Sequence, residues 1–167
     1  MMALPLVLLA VMASILQVGA VPAAFGQPLA APLLPVALLA GWAAIRRPRE
    51  AWPAPLAAAA VLGAVSDLRV GAFLLALLPV LAIATAIRLR ERRGEATLLR
   101  RLALAAVAAS LGTACYVLIL SAAAGTTPAL SQGFVALTKG MAWTAAIATI
   151  LAAAMWRART DSGGLFA

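Results

Sequence analysis

Asp67, Arg69 and Lys139 stand apart from the other charges of this chain, each with long apolar stretches on either side. A carboxylate two residues from a guanidinium can form a local ion pair, cap a helix or meet another subunit. An ionisable group at membrane depth is costly without a partner, so Asp67 could pair with Arg69 or, turned inward, with Lys139. Lys139 has a simpler use as well, because its stem can snorkel to a membrane surface. Gln17, near the end of a leucine-rich stretch, is a fourth polar outlier, and its amide suits an interhelical hydrogen bond. Gln17, Asp67, Arg69 and Lys139 are therefore the candidates for a partner contact or a structural polar contact.

The remaining inventory argues against catalysis. The chain has no histidine and a single cysteine, Cys115, so neither a zinc site nor an intramolecular disulfide is expected. No nucleophile is spaced with a base, no carboxylates are paired and no glycine-rich loop suits a phosphate. We expect no catalytic, cofactor-binding or metal-ligating residues, and binding is the task that is left. A pump or proton-coupled carrier would place a carboxylate well inside an apolar stretch, and none lies there.

The elements that must position these residues follow from composition. Hydrophobic residues make up 65% of the 167, charged residues 11%, and the mean hydropathy is +1.06. About 20 apolar residues cross the hydrocarbon core as a helix, so the chain is read as one integral membrane domain over 1–167 with no room for a soluble one. The net charge of +8 would suggest nucleic acid in a soluble protein. Here the bases gather at the ends of apolar stretches without interleaved aromatic residues, which points away from nucleic acid.

Those bases fall into three clusters: Arg46, Arg47 and Arg49; Arg88, Arg90, Arg92, Arg93, Arg100 and Arg101; Arg157 and Arg159. Cytoplasmic loops carry an excess of Lys and Arg near span ends, so a basic cluster after every second apolar stretch predicts the topology. The first stretch, 4–21, resembles a signal peptide in its small residues near Ala20 and Ala23, yet it lacks a basic start and is read as a retained span. The second, 29–45, carries Pro32 and Pro35 near its start, where a helix tolerates proline. The run 53–87 is long for one span and short for two. A single span would put the first two arginine clusters on opposite faces, so we expect a helix over 53–66, a tight outer turn at 66–71, and a helix over 70–87 interrupted by Pro79. The fifth and sixth spans are expected over 102–124 and 133–156.

The expected fold is therefore all-α: a polytopic membrane protein of six transmembrane helices with both termini cytoplasmic. Small residues should let the helices approach closely. Ala59, Gly63 and Asp67 lie four apart, as do Ala108 and Gly112, and each set lines one helix face. Ser110, Thr113 and Val117 follow helical spacing on the fifth helix, and the hydroxyls of Ser110 and Thr113 are expected to return a hydrogen bond to their own backbone. The first two arginine clusters, Arg46, Arg47, Arg49, Arg88, Arg90, Arg92, Arg93, Arg100 and Arg101, are candidates for anchoring on anionic lipid or for docking an acidic cytoplasmic partner.

The run Trp42, Ala43, Ala44, Ile45, Arg46, Arg47, Pro48, followed by an apolar helix closing on Gly63, Ala64, Val65, Ser66, Asp67, Leu68 and then Gly71, resembles the MreD family of rod shape-determining proteins. Gln17 resembles the Gln that ends that family's first span. Two features depart from the pattern: Pro32 is followed by Leu33 rather than Asp, and the segment between Asp67 and Gly71 is short.

The resemblance implies a non-enzymatic, multi-pass component of the bacterial inner membrane, a scaffold of the cell-elongation machinery. Its implied partners are an MreC-like bitopic protein, and beyond it MreB filaments and RodA with its transpeptidase, in support of peptidoglycan synthesis. It also implies a fold similar to the substrate-binding subunits of energy-coupling factor transporters. A vitamin-binding transporter subunit is accordingly the alternative function; it would need a polar pocket beneath the outer loops, where the chain offers mainly Gln17, Asp67, Arg69, Tyr116, Gln132 and Lys139.

Overall fold

The structure, a computed structural model, describes residues 3–27, 29–46, 48–90, 97–126 and 130–161. These form six α-helices: α1 (Ala3–Phe25), α2 (Leu34–Ile45), α3 (Pro53–Val65), α4 (Val70–Arg90), α5 (Leu98–Ala123) and α6 (Leu130–Asp161), with a short 3-10 turn at Pro48–Ala51 between α2 and α3. There are no strands among the described residues. Four segments are long and apolar enough to cross a membrane, Leu4–Phe25, Val70–Arg88, Leu98–Ala123 and Gly133–Ala158, whereas Leu34–Ile45 and Pro53–Val65 are shorter apolar helices.

Several helix bounds differ from those expected, and prolines explain two of the differences. The second helix begins at Leu34 instead of residue 29, because Pro32 drives the residue before it out of the helical region. Pro35 lies in the first turn of α2, where its missing N–H has no intrahelical acceptor to serve. By contrast α1 runs on through Pro22, and α4 continues unbroken through Pro79. Helices that cross membranes tolerate an internal proline where neighbours or small adjustments relieve the freed carbonyl. α5 and α6 both extend beyond their expected bounds at their starts, and α6 also at its end.

α2 is the axis of the bundle. It touches each of the other five helices, α3 least, and every residue from Pro35 to Ile45 is buried. Around it the other helices touch in the order α1, α3, α4, α5, α6. The remaining interval, between α6 and α1, is bridged near one end by Phe25 against Trp143, an edge-to-face ring contact with centroids 6.0 Å apart. Because α2 is apolar all round, it can be stable only when surrounded in this way.

Small residues bring the shell onto the axis. Gly140, Thr144, Ala148 and Ala152 recur every four residues along α6 and are all buried, forming a strip narrow enough for backbones to meet. A Cβ on Gly41 of α2 would come within 3.0 Å of the Ala148 carbonyl oxygen, so α2 and α6 are in backbone contact there. On the opposite side Ala105, Ala108, Ala109 and Gly112 of α5 are buried as well, and Ala59 of α3 faces the core with them. The outward faces are apolar too: Leu4, Leu8, Met12, Leu75, Leu118 and Ile150 are among the exposed large hydrophobic residues. A protein in water would not leave so much continuous apolar surface open, while lipid matches it.

The contacts also fix helix direction. Residues 29–33 lie beside Gly140 and Thr144, and Gly41 lies beside Ala148 and Ala152, so α2 and α6 run parallel. The ends of α2 and α4 and the start of α5 meet through Arg88 and Arg101. One end of the bundle therefore gathers Arg46, Arg88, Arg101 and Arg157, and the opposite end holds the turn between α3 and α4.

Candidate functional site

The polar chemistry of this fold is concentrated at the two ends of α2. A helix leaves its first four N–H and last four C=O groups without intrahelical partners, and in an apolar surrounding each such group costs several kcal/mol. Twelve residues span about 18 Å at 1.5 Å each, well short of the roughly 30 Å hydrocarbon core. Both ends of α2 thus need partners that the helix itself does not provide. Leu33, at its N-cap position, has no side-chain cap to offer.

At the start of α2 the partners come from α1 and α6. Gln17 Oε1 accepts a hydrogen bond from the Leu34 N–H at 2.8 Å. Thr144 Oγ1 accepts one from the Leu33 N–H at 3.0 Å and donates its own proton to the Gly140 carbonyl at 2.7 Å. Gly140 makes this geometry available: a Cβ there would lie 2.5 Å from the Leu29 carbonyl oxygen and 3.2 Å from that of Ala31. The segment before α2 is consequently seated on bare backbone of α6.

At the end of α2 the partners are arginines. Arg88 on α4 donates through Nη1 to the Arg46 carbonyl and through Nη2 to that of Ala44, the latter at 3.4 Å. Arg101 on α5 donates to the same Ala44 oxygen at 3.3 Å. Two guanidinium groups thus face the negative pole of α2, where cations are favoured and fork geometry can satisfy more than one oxygen. Arg88 and Arg101 are half-buried, Arg100 is exposed beside them, and Arg46 is half-buried at the C-cap of α2.

The other candidates are placed differently. Asp67 and Arg69 are exposed in the turn joining α3 to α4, and Lys139 is exposed on α6. Among the described residues α6 touches neither α3 nor α4, so pairing of Asp67 with Lys139 is not made; the intervening helices keep their elements apart. Arg47, Arg92 and Arg93 lie outside the described residues, as do the side chains of Arg49 and Arg90. Thr113 departs from its expected backbone bond: its hydroxyl is buried without a hydrogen-bond partner, as is the indole N–H of Trp42. Ser14, Thr85, Ser121 and Thr144 do return bonds to their own helices.

Thr144 and Gly140 were not legible as functional residues from type alone, though the four-residue recurrence of small residues on α6 was there to be read. Thr144→Val keeps the side-chain volume while removing both hydrogen bonds. It is expected to destabilise the protein by about 1 kcal/mol, the usual scale of a lost helix cap or interhelical bond. Gln17→Leu should cost a similar amount, and the pair together somewhat more than either. Chemical unfolding of the purified protein in mixed micelles checks both, and an unchanged midpoint in the double variant would remove the capping assignment.

No family model matches this chain, no curated protein matches it, and no solved structure matches it.

Proposed function

We propose that this chain is a six-span protein of the bacterial inner membrane, with its arginine-rich end and both termini in the cytoplasm, acting as a non-enzymatic scaffold of the MreD type. In this role it would bind an MreC-like bitopic protein and help couple MreB filaments, RodA and its transpeptidase to peptidoglycan synthesis. The observation that carries the binding role is the use of its polar groups. The strongest donors and acceptors, Gln17, Thr144, Arg88 and Arg101, close on the backbone of α2. Exposed to other molecules are the outer apolar faces of the helices, Arg100 and Arg157 at the basic end, and the outer turn. Such surfaces suit partner helices and anionic lipid. The sequence resemblance through Trp42 to Pro48 and Gly63 to Gly71 gives that partner its class. The same observation weighs against a vitamin-binding subunit, since Gln17, which would line an outer pocket, is engaged by Leu34.

Depletion of the chain in its own host is expected to turn rods into rounded cells, and affinity purification in mild detergent should recover an MreC-like bitopic protein with it. Unchanged cell shape with no such partner would reject the scaffold, and a vitamin retained through purification would favour the transporter subunit. For topology, Leu68→Cys in a Cys115→Ser background should react with a membrane-impermeant maleimide from outside the cell. Reaction only from the cytoplasmic side would reject six spans.

A further inference from the structure

The two helices that meet at the outer turn do not reach equally far. α3 and α4 are joined by residues 66–69, and Gly63 packs directly against Val70, so their adjoining ends are level. From Val70 to Arg88, whose guanidinium bonds the end of α2, α4 covers about 27 Å at 1.5 Å per residue. From Pro53 to Val65 α3 covers about 18 Å. It therefore stops several ångströms short of the level of Arg88, and the space beyond it is taken by the 3-10 turn Pro48–Ala51, which touches α1, α2, α3 and α4.

This short helix is not hidden from its surroundings. Trp52, Leu56, Ala60 and Ala64 follow one another every four residues along an exposed face, continued by Val65. The apolar strip is bounded on one side by Glu50 and on the other by Asp67 and Arg69, all exposed. Both boundaries are charged, so α3 cannot meet a thicker bilayer by sliding along the membrane normal without carrying a charge into hydrocarbon, and tilting would only shorten its reach. Its neighbours are longer: α1 has 23 residues and α4 has 21. The apolar girdle is thus narrow along α3 and wider along α1 and α4.

We propose that the α3 face holds a locally thinned bilayer, with the leaflet at the arginine-rich end drawn inward to Trp52 and Glu50. The occupant of this face is lipid, and the charges at both ends of the strip are the reason: they define a lipid-water boundary on each side, with Trp52 at one of them, where an indole is favoured. A hydrophobic length shorter than the membrane is met by thinning at a modest cost per ångström. The inference rests on α3 crossing the membrane, as in the six-span reading above. The maleimide experiment tests that crossing and the following one tests the thinning, so their failures are distinguishable.

The purified full chain is reconstituted in phosphatidylcholine vesicles with monounsaturated acyl chains from about 14 to about 22 carbons, and its thermal midpoint is followed by circular dichroism. The midpoint is expected to be highest at about 14 to 16 carbons and to fall by several degrees at the longest chains. Glu50→Leu, which moves one charged boundary outward, should shift the optimum to longer chains by about one step of the series. An optimum at about 18 to 20 carbons, or no dependence on chain length, would overturn the proposal. So would disulfide cross-linking of Ala60→Cys in a Cys115→Ser background within the short-chain vesicles, because a second copy of the chain would then cover α3 in place of lipid.

Discussion

Gly140→Val is expected to lower the unfolding free energy of the purified protein by roughly 2–3 kcal/mol, the scale of overpacking at a site that cannot give way. The clash is with main chain. A Cβ on residue 140 would meet the Leu29 carbonyl oxygen at 2.5 Å and that of Ala31 at 3.2 Å, and neither can be relieved by a change of rotamer. Movement of the 29–33 segment would in turn pull the Leu33 and Leu34 N–H groups away from Thr144 and Gln17. The substitution thus adds strain and removes caps together. Gly19→Ala supplies the comparison, because nothing lies within 4 Å of a Cβ there. Alanine in that helical position should be neutral or slightly stabilising. Denaturant midpoints for the two variants in the same micelles measure the contrast, and equal midpoints would show that α6 and the segment before α2 are not in backbone contact.

The second large effect belongs to the arginines. Arg88→Met removes the charge-assisted bonds to the Arg46 and Ala44 carbonyls and is expected to cost roughly 1.5–3 kcal/mol. Arg101→Met removes a bond to the Ala44 oxygen that Arg88 also serves, at 3.3 Å from Arg101 and 3.4 Å from Arg88. Sharing one oxygen makes the two sites coupled, so a double-mutant cycle is expected to be non-additive. Arg88→Lys should recover only part of the loss, because an ammonium lacks the planar fork that reaches two carbonyls. Stability measured in zwitterionic detergent, with no anionic lipid, separates this role from anchoring. A loss that appears only when anionic lipid is present would assign Arg88 to the membrane surface instead.

Much of the architecture is legible in the chain because its causes are local or collective. Hydropathy and the recurrence of arginine clusters mark six helices, and the 35-residue run that begins at Pro53 is divided into two helices by a turn at residues 66–69. Helix ends are less legible. Pro32 and Pro35 both look acceptable near the start of a helix, yet only Pro35 is inside α2, and Pro79 leaves α4 unbroken. Those outcomes depend on what surrounds each proline, which no window of sequence contains.

The site is less legible still, for a similar reason. Gln17 is conspicuous as an amide among leucines, but its partner is the main chain of Leu34, and any residue type can supply an N–H. Arg88 and Arg101 belong to a cluster whose obvious meaning is sidedness, and nothing in their type distinguishes them from Arg100. Their distinction is positional: each sits at the turn of its helix from which the guanidinium reaches the Ala44 carbonyl. Asp67 and Lys139 invite pairing by charge alone, and the order of helices around α2 keeps them apart.

The seating of α2 also bears on when the protein can become whole. The Leu33 N–H finds its acceptor 111 residues later, on Thr144, and Ala44 waits 57 residues for Arg101. At synthesis rates of roughly 5–20 residues per second, the first of these intervals is on the order of ten seconds. For that time the Leu33 N–H lacks the acceptor it has in the finished bundle, although Gln17 and the two arginines are made earlier than Thr144. The start of α2 is therefore completed only when α6 packs against it, so the two halves of the bundle close together.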